Sequence, residues 1–198
     1  MSVLLVAGSP TDHSRSSALL DRVQQRLRAR LTERQQAIHR LRIRDLSPQA
    51  LLLADGGHPS VARAIDQVAA AQALVIATPV YKAAYSGVLK VFLDILPQTA
   101  FKGKVVLPLA TGGSPHHMLA LDYALRPVLQ SLGAQHILPG VYATDAQIPK
   151  TEDGQYQIGD EIAARLDDAV QLLVREGLRH APSAVFAPVP FAAVQVSV

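Results

Sequence analysis

The chain predicts an α/β fold built on a doubly wound sheet of five parallel strands, on three observations. Short apolar runs, such as Val3-Leu4-Leu5-Val6 and Ala73-Leu74-Val75-Ile76-Ala77-Thr78, read as strands buried on both faces. Segments with apolar residues at spacings of three and four separate them, and strand and helix alternate five times. Three loops suited to a ligand, Gly8–Ser17, Pro79–Gly87 and Thr111–Ser114, follow three of those strands. On a doubly wound sheet such loops share one rim, where ligands bind.

In order, the first strand is Val3–Val6, with a tight turn at Gly8. The first helix is expected over Ser17 to about Leu31, with Leu20, Val23, Leu27 and Leu31 as its apolar stripe. Arg22, Arg26, Arg28 and Arg30 read as its solvated faces. Ala37–Ile43 is a short second strand that includes His39. The loop Arg44–Gly57 carries Ser47-Pro48 and Asp55-Gly56-Gly57, where proline fixes φ and glycine admits positive φ. Leu51-Leu52-Leu53 within it is open to three readings: cover for a sheet edge, contact with another subunit, or core packing. Pro59 opens the second helix, with Val61, Ile65 and Val68 inward. Ala73–Thr78 is the third strand, ended by Pro79. Gly87–Leu96 is the third helix. Lys104–Ala110 is the fourth strand, although Pro108 lacks a ladder donor. Met118–Leu132 is the fourth helix, stopped by Gly133. Gln135–Val141 is the fifth strand, and Ile158–Leu178 the last helix. Residues 1–178 form the domain. Residues 179–198 form a Pro/Ala-rich tail, read either as disordered or as an arm on a neighbouring subunit.

Composition narrows the function. The 198 residues are 49% hydrophobic and 18% charged, enough for one sizeable core. A net charge of +3 gives no case for nucleic acid, though a mildly positive cleft suits a phosphorylated ligand. With no cysteine, thiolate catalysis and cysteine metal sites are excluded. The first apolar run is too short for a membrane span and no basic segment precedes it, so a cytoplasmic protein is expected.

The first loop brings Ser9, Ser14, Arg15, Ser16 and Ser17 to a helix start. N–H groups, hydroxyls and a guanidinium there are what a phosphate needs. The same residues also read as an ordinary capped turn. Neither G-x-G-x-x-G nor G-x-x-x-x-G-K-[ST] occurs. In the second loop, Thr78-Pro79-Val80-Tyr81-Lys82-Ala83-Ala84-Tyr85-Ser86-Gly87 could carry a planar ring against backbone and tyrosine, with Lys82 meeting negative charge. Tyrosine as core cover is the plainer alternative. Thr111, Gly112 and Gly113 admit close backbone approach, or simply a turn. No G-x-S-x-G elbow is present, and His116-His117 matches no zinc motif, so no catalytic or metal-ligating side chain is assigned. A redox cofactor would supply the chemistry instead.

These residues resemble the NAD(P)H-dependent FMN reductases of flavodoxin-like fold, and are most similar to the reductase components of two-component alkanesulfonate monooxygenases. The resemblance rests on Ala7-Gly8-Ser9-Pro10 with Ser14-Arg15-Ser16-Ser17, on Ala77–Gly87, on Leu109–Gly113, and on Asp122-Tyr123-Ala124-Leu125 with Pro127-Val128-Leu129. It implies the strand order 2-1-3-4-5. It implies that Ser9, Ser14, Arg15, Ser16 and Ser17 hold the FMN phosphate. Pro79, Val80, Tyr81 and Lys82 would contact the ring and ribityl chain, supported by Tyr85, Ser86 and Gly87. Thr111, Gly112 and Gly113 would meet the pyrimidine edge. Relatives often carry arginine where this chain has Thr11. Tyr123 matches an inserted residue on a π-helical bulge, in a subfamily that forms tetramers and treats FMN as a transient substrate. The resemblance therefore implies NADPH, with NADH possible, as donor, reduced FMN passed to a monooxygenase, and a homotetramer. Two alternatives use the same loops: a quinone or azo reductase with retained flavin, and a flavodoxin-like electron carrier.

Overall fold

The computed structural model describes residues 2–31 and 37–179. The predicted tail therefore lies, but for residue 179, outside the described residues. The core sheet is parallel in the order β2-β1-β3-β5-β6, where β1 is Ser2–Ala7, β2 Ala37–Arg42, β3 Ala73–Tyr81, β5 Val105–Gly112 and β6 His136–Ile137. A two-residue strand β4, Ala84–Tyr85, folds back on β3, and β7, Val141–Thr144, pairs with β5 beyond β6. With β6 and β7 counted as one interrupted strand, this is the flavodoxin-like order 2-1-3-4-5.

Among the described residues six α-helices cover the two faces: α1 Arg15–Arg30, α2 Pro48–Leu52, α3 Pro59–Ala70, α4 Gly87–Ile95, α5 Arg126–Ser131 and α6 Asp160–Arg179. Strand residues alternate between two cores. Leu4, Val6, Leu74, Ile76 and Val106 pack with α2 to α5. Val3, Leu5, Val75, Leu107 and Leu109 pack with α1 and α6. Arg22 and Arg26, expected on solvated faces, instead hold Asp167 of α6 at 3.0 and 2.7 Å and tie the two helices together. Leu51 packs into the core, while Leu52 and Leu53 are exposed. At the Asp55-Gly56-Gly57 turn it is Ala54, not a glycine, that takes positive φ. Gly133 does stop α5 as expected: its φ is +86°, its N–H reaches Gln130 O, and the Ala134 N–H reaches Leu129 O.

Pro79 does not end the third strand, because the register places its missing N–H beyond the end of β1. Ala77 O accepts from Gly8 N at 2.8 Å, so an N–H at 79 would reach Gly8 O. The Ser86 hydroxyl donates to that carbonyl instead. β3 therefore continues to Tyr81, with Pro79 opposite Thr111 of β5. Pro108 likewise sits inside a central strand. Its missing N–H faces β6 and β7, where the ladder is already broken. Val106 pairs with Ile137 and Leu109 with Val141, so three steps on β5 face four on the partner. The expected continuous strand Gln135–Val141 is for this reason two pieces.

The expected fourth helix is three helical forms in sequence. A 3-10 turn covers Pro115–Leu119, a π-helix Ala120–Leu125, and then α5 follows. Tyr123 lies on the π-helix, 76% exposed.

Candidate functional site

The three predicted loops meet at the carboxyl ends of β1, β3 and β5. One cleft there is lined by eight of the expected residues: Ser14, Arg15, Pro79, Val80, Tyr81, Thr111, Gly112 and Gly113. Ser17 lines an adjoining polar recess that also holds Arg40 and Arg42. Ser9, Ser16, Lys82, Tyr85, Ser86 and Gly87 line neither.

At one end of the cleft α1 begins. Ser14 is its N-cap, and its Oγ accepts from Ser17 N at 3.1 Å. The Ser14 hydroxyl also meets Ser16 Oγ at 3.1 Å and Ser17 Oγ at 2.9 Å. The Ala18 N–H is taken by Ser14 O. Of the N–H groups in the first turn, at Arg15, Ser16 and Ser17, those of Arg15 and Ser16 have no acceptor among the described residues. Ser9 and Ser16 are buried, so their part is to hold the loop: Ser9 Oγ accepts from Thr11 N at 3.2 Å.

The second loop is a tight hairpin. Val80 pairs with Tyr85 and Tyr81 with Ala84, leaving Lys82 and Ala83 as a two-residue turn. Their φ values are +49° and +63°, a type I′ pattern that normally selects asparagine and glycine. Left-handed backbone costs a residue with a Cβ about 1–2 kcal/mol. Ala83→Gly is therefore expected to stabilise the protein by about 1 kcal/mol and raise Tm by about 2–4 °C. A thermal melt checks this, and a lowered Tm contradicts the strain assigned to the turn. Ser86 caps α4, its Oγ accepting from Leu89 N at 3.1 Å. Burial raises the Tyr85 hydroxyl pKa, partly offset by the nearby Lys90 ammonium.

In the third loop, Thr111 is buried and Gly113 exposed. A Cβ on Gly112 would stand 2.6 Å from the Tyr142 hydroxyl oxygen and 3.3 Å from Val80 Cβ. Close approach is thus required there by the protein's own packing. The Tyr142 hydroxyl donates to Ser114 O at 2.6 Å, and burial raises its pKa, reinforced by the Asp145 carboxylate.

Four further residues line the cleft: Thr11 and His13, which belong to the expected first loop without having been named as site residues, and Asp145 and Tyr156, which escaped sequence reasoning. Asp145 and Tyr156 lie on the segment between β7 and α6, and Arg15 brings them in. Arg15 Nε donates to Ile148 O at 2.9 Å, its Nη1 stands 3.4 Å from Asp145 Oδ2, and its guanidinium lies 5.0 Å over the Tyr156 ring. Arg15 therefore fastens one wall of the cleft to the start of α1. No motif announces a contact between residues so far apart in the chain.

Residues 1–148 match the model of the NADPH-dependent FMN reductase family. An FMN reductase (NADPH) of Escherichia coli K12 is 44% identical over 171 residues, 86% of this chain and 87% of that protein. Another from Pseudomonas putida KT2440 is 43% identical over 172 residues, 86% and 85% of the two chains. Among solved structures, the apo form of the NADH:FMN oxidoreductase EMOB has a TM-score of 0.78 at 39% identity, covering 88% of this chain and 89% of its own. With the family model spanning every strand of the core sheet, the chain belongs to the NADPH-dependent FMN reductases and is an NAD(P)H:FMN oxidoreductase of flavodoxin-like fold.

Proposed function

We propose that this reductase supplies reduced FMN to a partner monooxygenase, of the class that desulfonates alkanesulfonates, and that FMN passes through its cleft as a substrate. The observation that carries the site assignment is the convergence of the three loops on one cleft with unlike ends. The residues suit FMN. At the α1 end, two N–H groups, the Ser14 hydroxyl and the Arg15 guanidinium make a donor set for a phosphate, with the Ser17 hydroxyl in the adjoining recess. At the other end, Pro79, Val80, Tyr81, Thr111, Gly112 and Gly113 offer backbone and flat apolar surface to a planar ring. Bound FMN supplies the two-electron redox chemistry.

The side chains bind, orient and shelter, and none is assigned as acid or base. Ser9 and Ser16 keep the phosphate loop in shape from beneath. Ser86, Gly87 and Tyr85 hold the hairpin on which Tyr81 and Lys82 stand. The nicotinamide has room on the open side of the cleft, and NADPH is the preferred donor. The exposed Tyr123, with Met118 and Leu119 exposed beside it, supports a tetramer assembled through this helix. A cytoplasmic setting fits these nicotinamide and flavin substrates, and no helix among the described residues is long and apolar enough to cross a membrane.

A substrate panel tests the reading. NADPH oxidation should saturate with added FMN, the desalted protein should be nearly colourless, and an FMNH2-dependent alkanesulfonate monooxygenase should turn over when coupled to it. Flavin retained through desalting, with quinone reduction and no support of the monooxygenase, would favour a quinone or azo reductase.

A further inference from the structure

Asp145 opens the turn after β7 and faces the start of α1 across the cleft. Its Oδ2 is 3.4 Å from Arg15 Nη1, with the two side chains 47% and 28% exposed. The backbone under Asp145 is held in place, because Gln147 Oε1 accepts from Thr144 N at 2.9 Å and from Thr144 Oγ1 at 3.1 Å. Arg15 is committed elsewhere too, through Nε to Ile148 O and through its face to Tyr156. Those two contacts leave the Nη edge as the part of the guanidinium that can change partner, and Asp145 stands on that edge.

A phosphate at the α1 N-terminus needs the same edge. Two anions on one guanidinium repel each other, so the carboxylate must yield when a phosphate arrives. We propose that Asp145 is a specificity-determining residue that trades Arg15 with the flavin phosphate, holding the guanidinium when the phosphate is away and releasing it on binding. This rests on the reading of the α1 end as the phosphate end. The phosphate then gains one ion pair at the expense of another, so its advantage is reduced by the pair given up. Riboflavin, lacking a phosphate, leaves the Asp145 pair intact and is indifferent to it. On departure of FMN the carboxylate re-forms its pair with Arg15, which favours release. Asp145 thereby lowers the preference for FMN over riboflavin and keeps the phosphorylated flavin exchangeable.

The test compares Asp145→Asn, Asp145→Ser and Asp145→Glu with Arg15→Ala, measuring Kd for FMN and riboflavin by flavin fluorescence, with a thermal melt for each. Asp145→Asn should tighten FMN by about fivefold, the size of one part-exposed ion pair, and move riboflavin by less than about twofold. Asp145→Ser removes the charge with a different shape and should shift FMN the same way. Asp145→Glu keeps the charge and should gain less than either. Equal shifts for the two flavins, or weaker FMN binding in both neutral variants, would overturn the exchange. If Arg15→Ala separates FMN from riboflavin but the neutral variants at 145 do not, the exchange is wrong and the phosphate assignment stands. If Arg15→Ala does not separate them, the phosphate assignment itself falls, and the exchange with it.

Discussion

Arg15→Ala should weaken FMN binding by about 10- to 150-fold, which corresponds to the roughly 1.5–3 kcal/mol of a hydrogen bond to a charged group. Riboflavin should suffer much less. Its loss is not expected to be zero, because Arg15 also fastens the wall segment through Ile148 O and Tyr156. The loss common to both flavins measures the wall, and the difference between them measures the phosphate. Turnover at saturating FMN should fall far less than affinity, since the proposed role of the guanidinium is to meet the phosphate and not the ring. Titrations with both flavins and steady-state rates with NADPH decide this. Equal losses for the two flavins would leave Arg15 as a wall fastener alone.

Gly112→Ala should destabilise the protein and damage flavin turnover together. The new Cβ would stand 2.6 Å from the Tyr142 hydroxyl, which cannot retreat without losing its bond to Ser114 O. Overpacking of this kind costs about 1–3 kcal/mol, or about 2–12 °C in Tm for a domain of this size. Gly112 itself lines the end of the cleft proposed to hold the ring, so FMN kcat/KM should drop by about tenfold or more, the equivalent of about 1.4 kcal/mol. Tyr142→Phe removes the oxygen that the Cβ meets. In the double variant the clash is gone, so the combined cost should be smaller than the sum of the two single costs. Additive costs would mean that Gly112 is required for another reason.

The alternation of strands and helices was legible because β1, β3 and β5 are runs of apolar residues buried on both faces and the longer helices each carry an apolar stripe, whereas β2 showed only in its alternation. The meeting of the three loops at one cleft was legible because they follow β1, β3 and β5, whose order the fold class dictates. What was not legible depended on register. Pro79 reads locally as a strand end, yet its missing N–H falls where Ser86 can serve the orphaned Gly8 carbonyl. Arg22 and Arg26 read as surface until α6 brings Asp167 beside them. Asp145 and Tyr156 lie in a segment without pattern, and only the folded chain places them against Arg15. Gly112 was read as admitting close backbone approach or simply a turn, and the nearest atom that its missing Cβ spares belongs to Tyr142, which only the fold brings there.

The π-helix and the broken fifth strand each hold one residue more than a regular element would, and they touch. A Cβ on Gly140, at the break, would lie 2.9 Å from Leu121 Cδ1 on the π-helix and 3.1 Å from Pro108 O. Leu121 thus occupies the space that the absent side chain leaves. The two irregularities compensate each other in space, the extra helical residue filling what the extra strand residue leaves open. Losing the extra helical residue would rotate Leu121 away and open a void over Gly140; losing the extra strand residue would press a regular ladder against Pro108, which cannot donate to it. Lineages of this reductase should accordingly gain or lose the two together, and a single-residue gap in an alignment at one place should predict a gap at the other.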